Sequence, residues 1–560
     1  MRLALTSRSK ATTIHFMSRD AFVAACVRRL FEDEHLLCVS KAAGVAIRRP
    51  DVDRACDVVD IVRHLGWVGG DATLRVVNAM GRMTSGVLIL AKSAPAAMKL
   101  DSAISAGGVR RTYAAVVRGK AKSHSADDLA LAPVRVHEEP EPRGRTDSTT
   151  SVVAASPRSL VRVETSTASE KRLREDLSKR HHPIVGDAIF DPRREGRASG
   201  RHYLHLERVA FEHPITGAPV NVTDSVPRDF ESVCRGQRAV EGVLRTALAE
   251  RLPWLMDGAS DAYRAFDGRR DGLAGLNVDI HGRVAVMSVR QGRFPLDDGA
   301  LHDAAEWYGR FLGIDAVYLK GIPRDRSHDE SESTQALCDP QPLWGSAVPP
   351  EITAREDGLS YWVRPYDGFQ TGLFLEHCGN RRWLKEHSAG RAVLNLFAYT
   401  CGLSVAAATG GALETHSVDT SKKALEWGKR NFEANGLALD SHRFYCSDVF
   451  EYYKRAERQE RRFDLIVLDA PTFARLKKPA RVFRVEADFV RLVREALPLL
   501  ISGGVMLVSI NQRRLSTGWM RERMDEAFKG RAYNYLPSPP NVVGIGGEDS
   551  SGRTVIVRVT

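Results

Sequence analysis

Asp419, Asp448 and Asp469 stand at or just beyond the ends of three short apolar runs, Thr415–Val418, Arg443–Tyr445 and Leu465–Leu468. Together with Val393–Phe397 and Val505–Ser509, these runs alternate with helical patterns at Ser421–Asn435 and Glu486–Leu500. That alternation predicts a parallel sheet with helices on both faces, and Asn435-Gly436 gives the first of those helices its stop. Ligands of such sheets bind beyond the carboxyl ends of the strands, so the residues just after each strand are the ones that could do chemistry. The first strand runs into Asn395-Leu396-Phe397-Ala398-Tyr399-Thr400-Cys401-Gly402, a turn where a small residue lets the backbone approach a ligand. Asp419, 17 residues after Gly402 and followed by Thr420 and Ser421, is placed to accept hydrogen bonds from ribose hydroxyls. Asp448 is placed to meet an adenine amino group. The fourth strand ends in Asp469-Ala470-Pro471-Thr472-Phe473, a rigid turn with an aromatic face beside a reacting centre. Any one of these is an ordinary strand-end turn; the ordered set is what points to a nucleoside-containing ligand.

A chain of 560 residues is too long for one core and implies at least three units. Residues 29–230 mix short apolar runs (Leu36–Val39, Val87–Leu90, Tyr113–Val117) with polar stretches, and carry the hydrophilic sequence HEEPEPRGRTDSTT between Lys120 and Ser151. Residues 239–350 read as a small α/β unit with strands at Arg283–Arg290 and Ala316–Lys320, and residues 364–560 form the doubly wound, Rossmann-like unit. No apolar run reaches membrane-spanning length. The net charge of +11, from 81 basic against 70 acidic residues, favours a polyanionic partner. The eight cysteines show no CxxC pair or zinc-ligand spacing, so no metal is expected and buried free thiols are.

From Met1 to Arg19 there are four basic residues, Arg2, Arg8, Lys10 and Arg19, several Ser and Thr, and no acid. This composition resembles a mitochondrial transit segment, here assigned to residues 1–28; a basic arm on nucleic acid in a cytoplasmic protein is the other reading.

The unit from about Tyr366 onward resembles the bacterial large-subunit rRNA methyltransferases of the RlmI and RlmK type. The resemblance rests on Gln370-Thr371-Gly372-Leu373-Phe374-Leu375-Glu376-His377, NLFAYTCG, SVDTS and LDAPTF, and YRAFDGRRDGLAGLNV (263–278) is similar to the small domain before the catalytic domain in the RlmI branch. It implies a class I fold binding S-adenosylmethionine through Thr371, Phe374, Glu376, Asn395, Phe397, Tyr399, Thr400, Gly402, Asp419, Ser421, Asn435 and Asp448. Asp469, Pro471 and Phe473 then form the catalytic turn. Cytosine C5 methylation needs an attacking cysteine, yet Thr472 and Ser509-Ile510-Asn511-Gln512 occupy the relevant strand ends. Guanine N7 already carries a lone pair and needs alignment only, and DAPTF with SINQRR looks most like the RlmK branch, associated with guanine N7. Cys401 replaces a glycine of the family turn, where a positive φ would bring strain, and Ala470 replaces the first proline of DPP.

The N-terminal unit resembles RluA-type pseudouridine synthases through the stretch beginning Glu32-Asp33-Glu34-His35, through Thr84-Ser85-Gly86, Arg111-Thr112-Tyr113, His182-Pro183 and His213-Pro214. The family's catalytic string HRLDRxTSG reads Asn78-Ala79-Met80-Gly81-Arg82-Met83-Thr84-Ser85-Gly86 here, so Gly81 stands where that resemblance requires aspartate. Ser169 and Arg172 fall on an arginine and a glutamine of its RTHQIR string. A glycine can neither attack nor carry a proton, which predicts an α+β domain without synthase activity. Arg110, Arg111, Arg172, Arg174, Lys179 and Arg180 are its expected RNA-docking residues. The expected function is an RNA base methyltransferase with large-subunit ribosomal RNA, or an assembly intermediate, as partner. The alternative is a non-catalytic RNA-binding ribosome-assembly factor.

Overall fold

The computed structural model describes residues 18–52, 54–69, 72–122, 124–126, 129–133, 157–166, 169–191, 201–237, 239–268, 270–290, 297–322, 339–477, 480–512, 514–539 and 553–560. The basic residues before Ser18 and the sequence HEEPEPRGRTDSTT lie outside them.

The N-terminal part is built on one ten-stranded sheet: β1 (Val27–Glu32), β2 (Leu36–Lys41), β3 (Arg75–Val76), β4 (Ser85–Ala91), β5 (Arg110–Arg118), β6 (His124–Ala126), β7 (Leu129–Pro133), β8 (Arg158–Thr165), β9 (Leu204–Glu212) and β10 (Pro219–Thr223). The main path is β1-β2-β4-β9-β5-β8-β7-β6, antiparallel except where β4 meets β9. Every residue of β2 and β4 is buried, which is why their stretches Leu36–Val39 and Val87–Ala91 read as unbroken apolar runs. Helices α1 (Arg19–Cys26), α2 (Val58–His64), α3 (Ala94–Ser105), α4 (Glu170–Lys179) and α5 (Asp229–Cys234) accompany the sheet.

Residues 19–28, assigned from composition to a leader, belong instead to the fold. Ser18 caps α1, Phe22 and Val23 are fully buried, and the Phe22 ring meets Trp307 edge-on at 6.4 Å. The helix holds one Arg and one acid, Asp20, so the acid-free composition that suggested a leader ends at Arg19 and the following residues pack into the fold.

After α6 (Val240–Ala249) and α7 (Leu252–Met256) comes a five-stranded sheet, β11 (Ala262–Asp267), β12 (Leu276–His281), β13 (Val284–Arg290), β14 (Ala316–Ile322) and β15 (Trp344–Gly345). The crossover α8 (Asp298–Leu312) joins the parallel pair β13 and β14. The hairpin β16 (Ile352–Glu356) and β17 (Leu359–Val363) leads into α9 (Cys378–His387).

The C-terminal sheet has seven strands: β18 (Ala392–Leu396), β19 (Glu414–Asp419), β20 (His442–Cys446), β21 (Phe463–Ala470), β24 (Leu500–Ile510), β25 (Tyr533–Leu536) and β26 (Arg553–Val559), ordered β20-β19-β18-β21-β24-β26-β25. The first five in space are parallel, β26 runs antiparallel to β24, and β25 runs antiparallel to β26. Helices α10 (Gly402–Thr409), α11 (Lys422–Glu433), α12 (Val449–Arg458), α13 (Val485–Ala496) and α14 (Thr517–Ala527) connect them, and a separate hairpin, β22 (Phe473–Lys477) with β23 (Ala480–Arg484), follows β21. Strand order reverses between β18 and β21, which opens the crevice where ligands of such sheets bind. No helix among the described residues is long and apolar enough to cross a membrane.

Candidate active site

The turn after β18 has an unusual backbone. Phe397, Tyr399 and Cys401 all take positive φ, +59°, +46° and +60°, a region that non-glycine residues enter at a cost. The strain expected of a cysteine at position 401 is therefore present. It is held by packing: Cys401 is fully buried, and a Cβ on Gly428 of α11 would lie 2.4 Å from its Sγ. Burial pushes the thiol up to about 12, which removes it as a nucleophile. Thr400 donates its hydroxyl to Gly372 O at 2.6 Å, and Asn431 Nδ2 donates to Thr400 O at 2.9 Å. Gly372, at φ +104°, lies so close to Trp427 that a Cβ would come within 2.2 Å of the ring. The lead-in segment with Thr371 and Phe374 is thus fastened to the turn, with the Phe374 and Tyr399 rings 5.2 Å apart.

Asp419 ends β19. Its Oδ2 accepts from Tyr399 N at 2.9 Å and its Oδ1 from Ser421 N at 2.8 Å, so the carboxylate also shapes the strained turn. Burial raises its pKa above the usual carboxylate range against the lowering effect of those N–H donors. Ser421 caps α11 through Ala424 N, and Gly402 opens α10. Asp419 pairs in register with Cys446 at the end of β20, two residues before Asp448. Asp448 caps α12, with one oxygen accepting from Phe450 N at 3.0 Å and Glu451 N at 3.3 Å.

Across the reversal point, Asp469 of β21 meets His377. His377 Nε2 lies 3.1 Å from Asp469 Oδ2, and its Nδ1 is 3.0 Å from the Asn380 amide, which also bonds Thr554 of β26. Burial alone would depress the imidazole, but the Asp469 carboxylate outweighs it and holds the pKa above its ordinary value. Glu376 Oε1 is 3.4 Å from Asn511 Nδ2, while Thr472 Oγ1 donates to Asn511 O at 3.1 Å. Pro471 and Phe473 complete this rim, with the Phe473 side chain 44% exposed.

Most of the expected residues thus lie along one rim, but Thr400, buried with its hydroxyl on Gly372 O, does not present its side chain to it, Gly402 has none, and Asn435 and Asn395 are turned elsewhere. Asn435 sits beyond the far end of α11 from Ser421 and is fully used by other partners: Oδ1 accepts from Ser360 N, and Nδ2 donates to Ser360 O and Asn431 O. It anchors α11 to β17 and is removed from the site. Asn395 is buried within β18 and donates to Ser404 Oγ at 2.9 Å, a supporting position. His377 and Asn380 were missed. His377 lies inside the quoted lead-in, but its role depends on a fold that brings residue 377 to strand β21. Among the described residues no group of His, Cys, Asp and Glu is arranged to hold a metal ion.

The N-terminal domain holds a second finding. Gly81 N–H donates to Glu170 Oε2 at 2.8 Å, and a Cβ on Gly81 would sit 2.8 Å from Glu170 Oε1. A carboxylate from α4 therefore fills the space that a side chain at position 81 would take. Arg174 Nη1 lies 3.6 Å from Glu170 Oε1, and Thr84 Oγ1 bonds His202 Nε2 at 2.7 Å. Burial pulls His202 down to about 3 and Lys41 down to about 7; Lys41 Nζ donates to the carbonyls of Ala42, Val45 and Arg82. Two of the expected RNA-docking residues are internal. Arg111 is buried, and Arg174 is locked to Asp187 at 2.7 and 2.9 Å. Arg110, Arg172, Lys179 and Arg180 remain exposed.

Comparison with known proteins agrees with this division. Residues 337–548 match the S-adenosylmethionine-dependent methyltransferase family, and residues 35–179 match the RNA pseudouridylate synthase family. The chain is 42% identical over 163 residues to ribosomal RNA large subunit methyltransferase K of Neisseria meningitidis, covering 29% of this chain and 46% of that protein. It is 42% identical over 291 residues to ribosomal RNA large subunit methyltransferase K/L of Hahella chejuensis, covering 51% of this chain and 38% of that protein. The chain thus spans less than half the length of these two relatives. Among solved structures it is similar to SMU.776, assigned as a methyltransferase and complexed with SAH, at 26% identity and a TM-score of 0.50 over 63% of this chain and 89% of that one. The chain therefore joins a domain of the S-adenosylmethionine-dependent methyltransferase family to a domain of the RNA pseudouridylate synthase family in one polypeptide.

Proposed function

We propose that the protein methylates a base of large-subunit ribosomal RNA, using S-adenosylmethionine held at the β18, β19 and β20 strand ends. The observation that carries this reading is the convergence of Asp419, Asp448, the Tyr399 turn and the Glu376–His377–Asp469 rim on one crevice. The side chains suit the group: Asp419 for ribose hydroxyls, Asp448 for an adenine amine, and the Phe374 and Tyr399 rings with nearby carboxylates for a sulfonium cation. When bound, the cofactor supplies an electrophilic methyl group on sulfur. The protein's part is to align the acceptor and exclude water, and His377 fixes the orientation of Asp469 for that purpose.

Guanine N7 is the favoured acceptor. Methylation at cytosine C5 needs a thiolate, but Cys401 is buried behind the turn and Cys446 lies at the β20 end, bonded to Thr420 O. Thr472 and Asn511 occupy the rim beside Asp469. The N-terminal domain serves to dock RNA and forms no pseudouridine: Gly81 lacks a side chain, and the carboxylate replacing it is 8% exposed and already bonded to the Gly81 N–H. The acid-free, basic residues before Arg19 support import into mitochondria, where the target would be organellar ribosomal RNA. Mass spectrometry of large-subunit RNA from cells with and without the protein tests the assignment. A 7-methylguanosine that disappears with the protein is expected; unchanged 7-methylguanosine contradicts it.

A further inference from the structure

Asp469, Ser509 and Thr554 lie opposite one another on β21, β24 and β26, so they form one row across three neighbouring strands and share a face of the sheet. The start of α9 lies over that face. Thr554 Oγ1 holds both ends of the Asn380 amide, accepting from Nδ2 at 3.0 Å and donating to Oδ1 at 3.1 Å. The same Nδ2 meets His377 Nδ1 at 3.0 Å, and His377 Nε2 meets Asp469 Oδ2 at 3.1 Å. Ser509, in the middle of the row, is fully buried and its hydroxyl has no hydrogen-bond partner among the described residues, so Asn380 and His377 join the two ends of the row over it. Asn380 and His377 are both buried, and water cannot stand in for the contacts they make. Asp469 is the open end. Its Oδ2 is taken by the imidazole, its Oδ1 has no partner among the described residues, and its side chain is 17% exposed at the strand end.

A carboxylate with one oxygen gripped and the other free is an acceptor held in one orientation. In methyl transfer to a ring nitrogen, the lone pair of that nitrogen forms the bond to the methyl carbon, and the carbon–sulfur bond breaks with its electron pair left on sulfur. The base takes up the positive charge that sulfur gives up, and no proton leaves. An N–H of the base becomes a stronger donor as that charge develops, so a fixed acceptor waiting for it favours the transition state over the ground state. We propose that Asn380 and Thr554 are positioning residues for methyl transfer, acting through His377 to hold Asp469 so that its free oxygen accepts a hydrogen bond from an N–H of the base. The proposal rests on the reading of the domain as a guanine methyltransferase and deepens it. Guanine carries N–H groups at N1 and N2 that suit a free acceptor, whereas adenine N1 is itself an acceptor and opposes it.

The test uses the full chain and measures methyl transfer from labelled S-adenosylmethionine to large-subunit RNA taken from cells lacking the protein, with titration by S-adenosylhomocysteine alongside. Thr554→Val and Asn380→Leu keep the shape and remove the hydrogen bonds. Each should lower kcat about tenfold while leaving the donor KM and the S-adenosylhomocysteine affinity unaltered, and Thr554→Ser, which keeps the hydroxyl, should turn over as the wild type does. The relay is also read without RNA, from the downfield proton resonance of the His377 imidazole N–H, identified by its absence in His377→Gln. That resonance should be present in the wild type and Thr554→Ser, and broadened or lost in Thr554→Val and Asn380→Leu. Its persistence in both of the latter variants, or wild-type kcat in both, would overturn the proposal, as would rate and S-adenosylhomocysteine affinity falling by equal factors. A wild-type protein that binds no S-adenosylhomocysteine defeats the methyltransferase reading beneath it, and the resonance still decides whether the relay exists.

Discussion

His377 and Asp469 join a short 3-10 turn, Leu375–His377, to the end of the central strand β21 through a contact of 3.1 Å. The contact fixes the carboxylate that opens the Asp469–Phe473 turn, and Asn380 can meet either protonation state of the imidazole by turning its amide.

This pair predicts a pH-dependent stability. The His377 pKa is raised in the folded state, so its contribution is fully present below the unfolded value of about 6.5 and is lost as pH rises through the folded value. His377→Gln should lower stability by roughly 1–3 kcal/mol at acid pH and less at alkaline pH. Urea unfolding at several pH values checks this, and a loss that grows with pH would rule the pair out as its source.

Cys401 makes a second prediction, because its backbone is left-handed while its side chain fills a gap against Gly428. Cys401→Ala keeps the strain and loses the buried sulfur, whereas Cys401→Gly relieves the strain. The glycine variant should be more stable than the alanine variant by about 1 kcal/mol, measured by thermal unfolding. An alanine variant of equal or greater stability would show that the turn carries no such strain.

Glu170 and Gly81 yield a third. The protein should form no pseudouridine on any RNA, as carbodiimide-based mapping of cells with and without it would read. A site that depends on the protein and vanishes in Glu170→Gln would mean that the relocated carboxylate is catalytic.

The exposed cations of the N-terminal domain give the fourth. Neutralising Arg172, Lys179 and Arg180 to Gln should flatten the salt slope for single-stranded RNA by about 2, three contacts at roughly 0.7 each. Changing these three is preferable to deleting the domain, since Phe22 packs on Trp307 and Arg54 bonds both Asp257 and Asp357 across the join. An unaltered slope would move the docking surface elsewhere.

Much of the catalytic domain was legible because its central strands are buried on both faces and read as apolar runs, and because Ser421 and Asp448 cap the helices that follow them. Their strand-end positions followed from the same pattern. Asn435 misled because an asparagine at a helix end looks alike whether it meets a ligand or, as here, the backbone of Ser360. Arg111 and Arg174 misled because a basic residue in a list does not reveal its burial. Glu170 was invisible because the vacancy at Gly81 is filled by a residue 89 positions away. The place of α1 could not be told from a transit segment without Trp307 and Phe311 to pack against.

The central claim is a donor site organised by Asp419, and calorimetric titration with S-adenosylmethionine and S-adenosylhomocysteine tests it most directly. The wild-type protein should bind both, and Asp419→Ala should lose roughly 1.5–3 kcal/mol of binding energy as its charge-assisted hydrogen bonds are removed. Burial raises the Asp419 pKa, so wild-type affinity should fall on acidification at a pH above the usual carboxylate range, and that fall should be absent from the variant. Equal affinity of wild type and Asp419→Ala, with the same pH profile, would contradict the site.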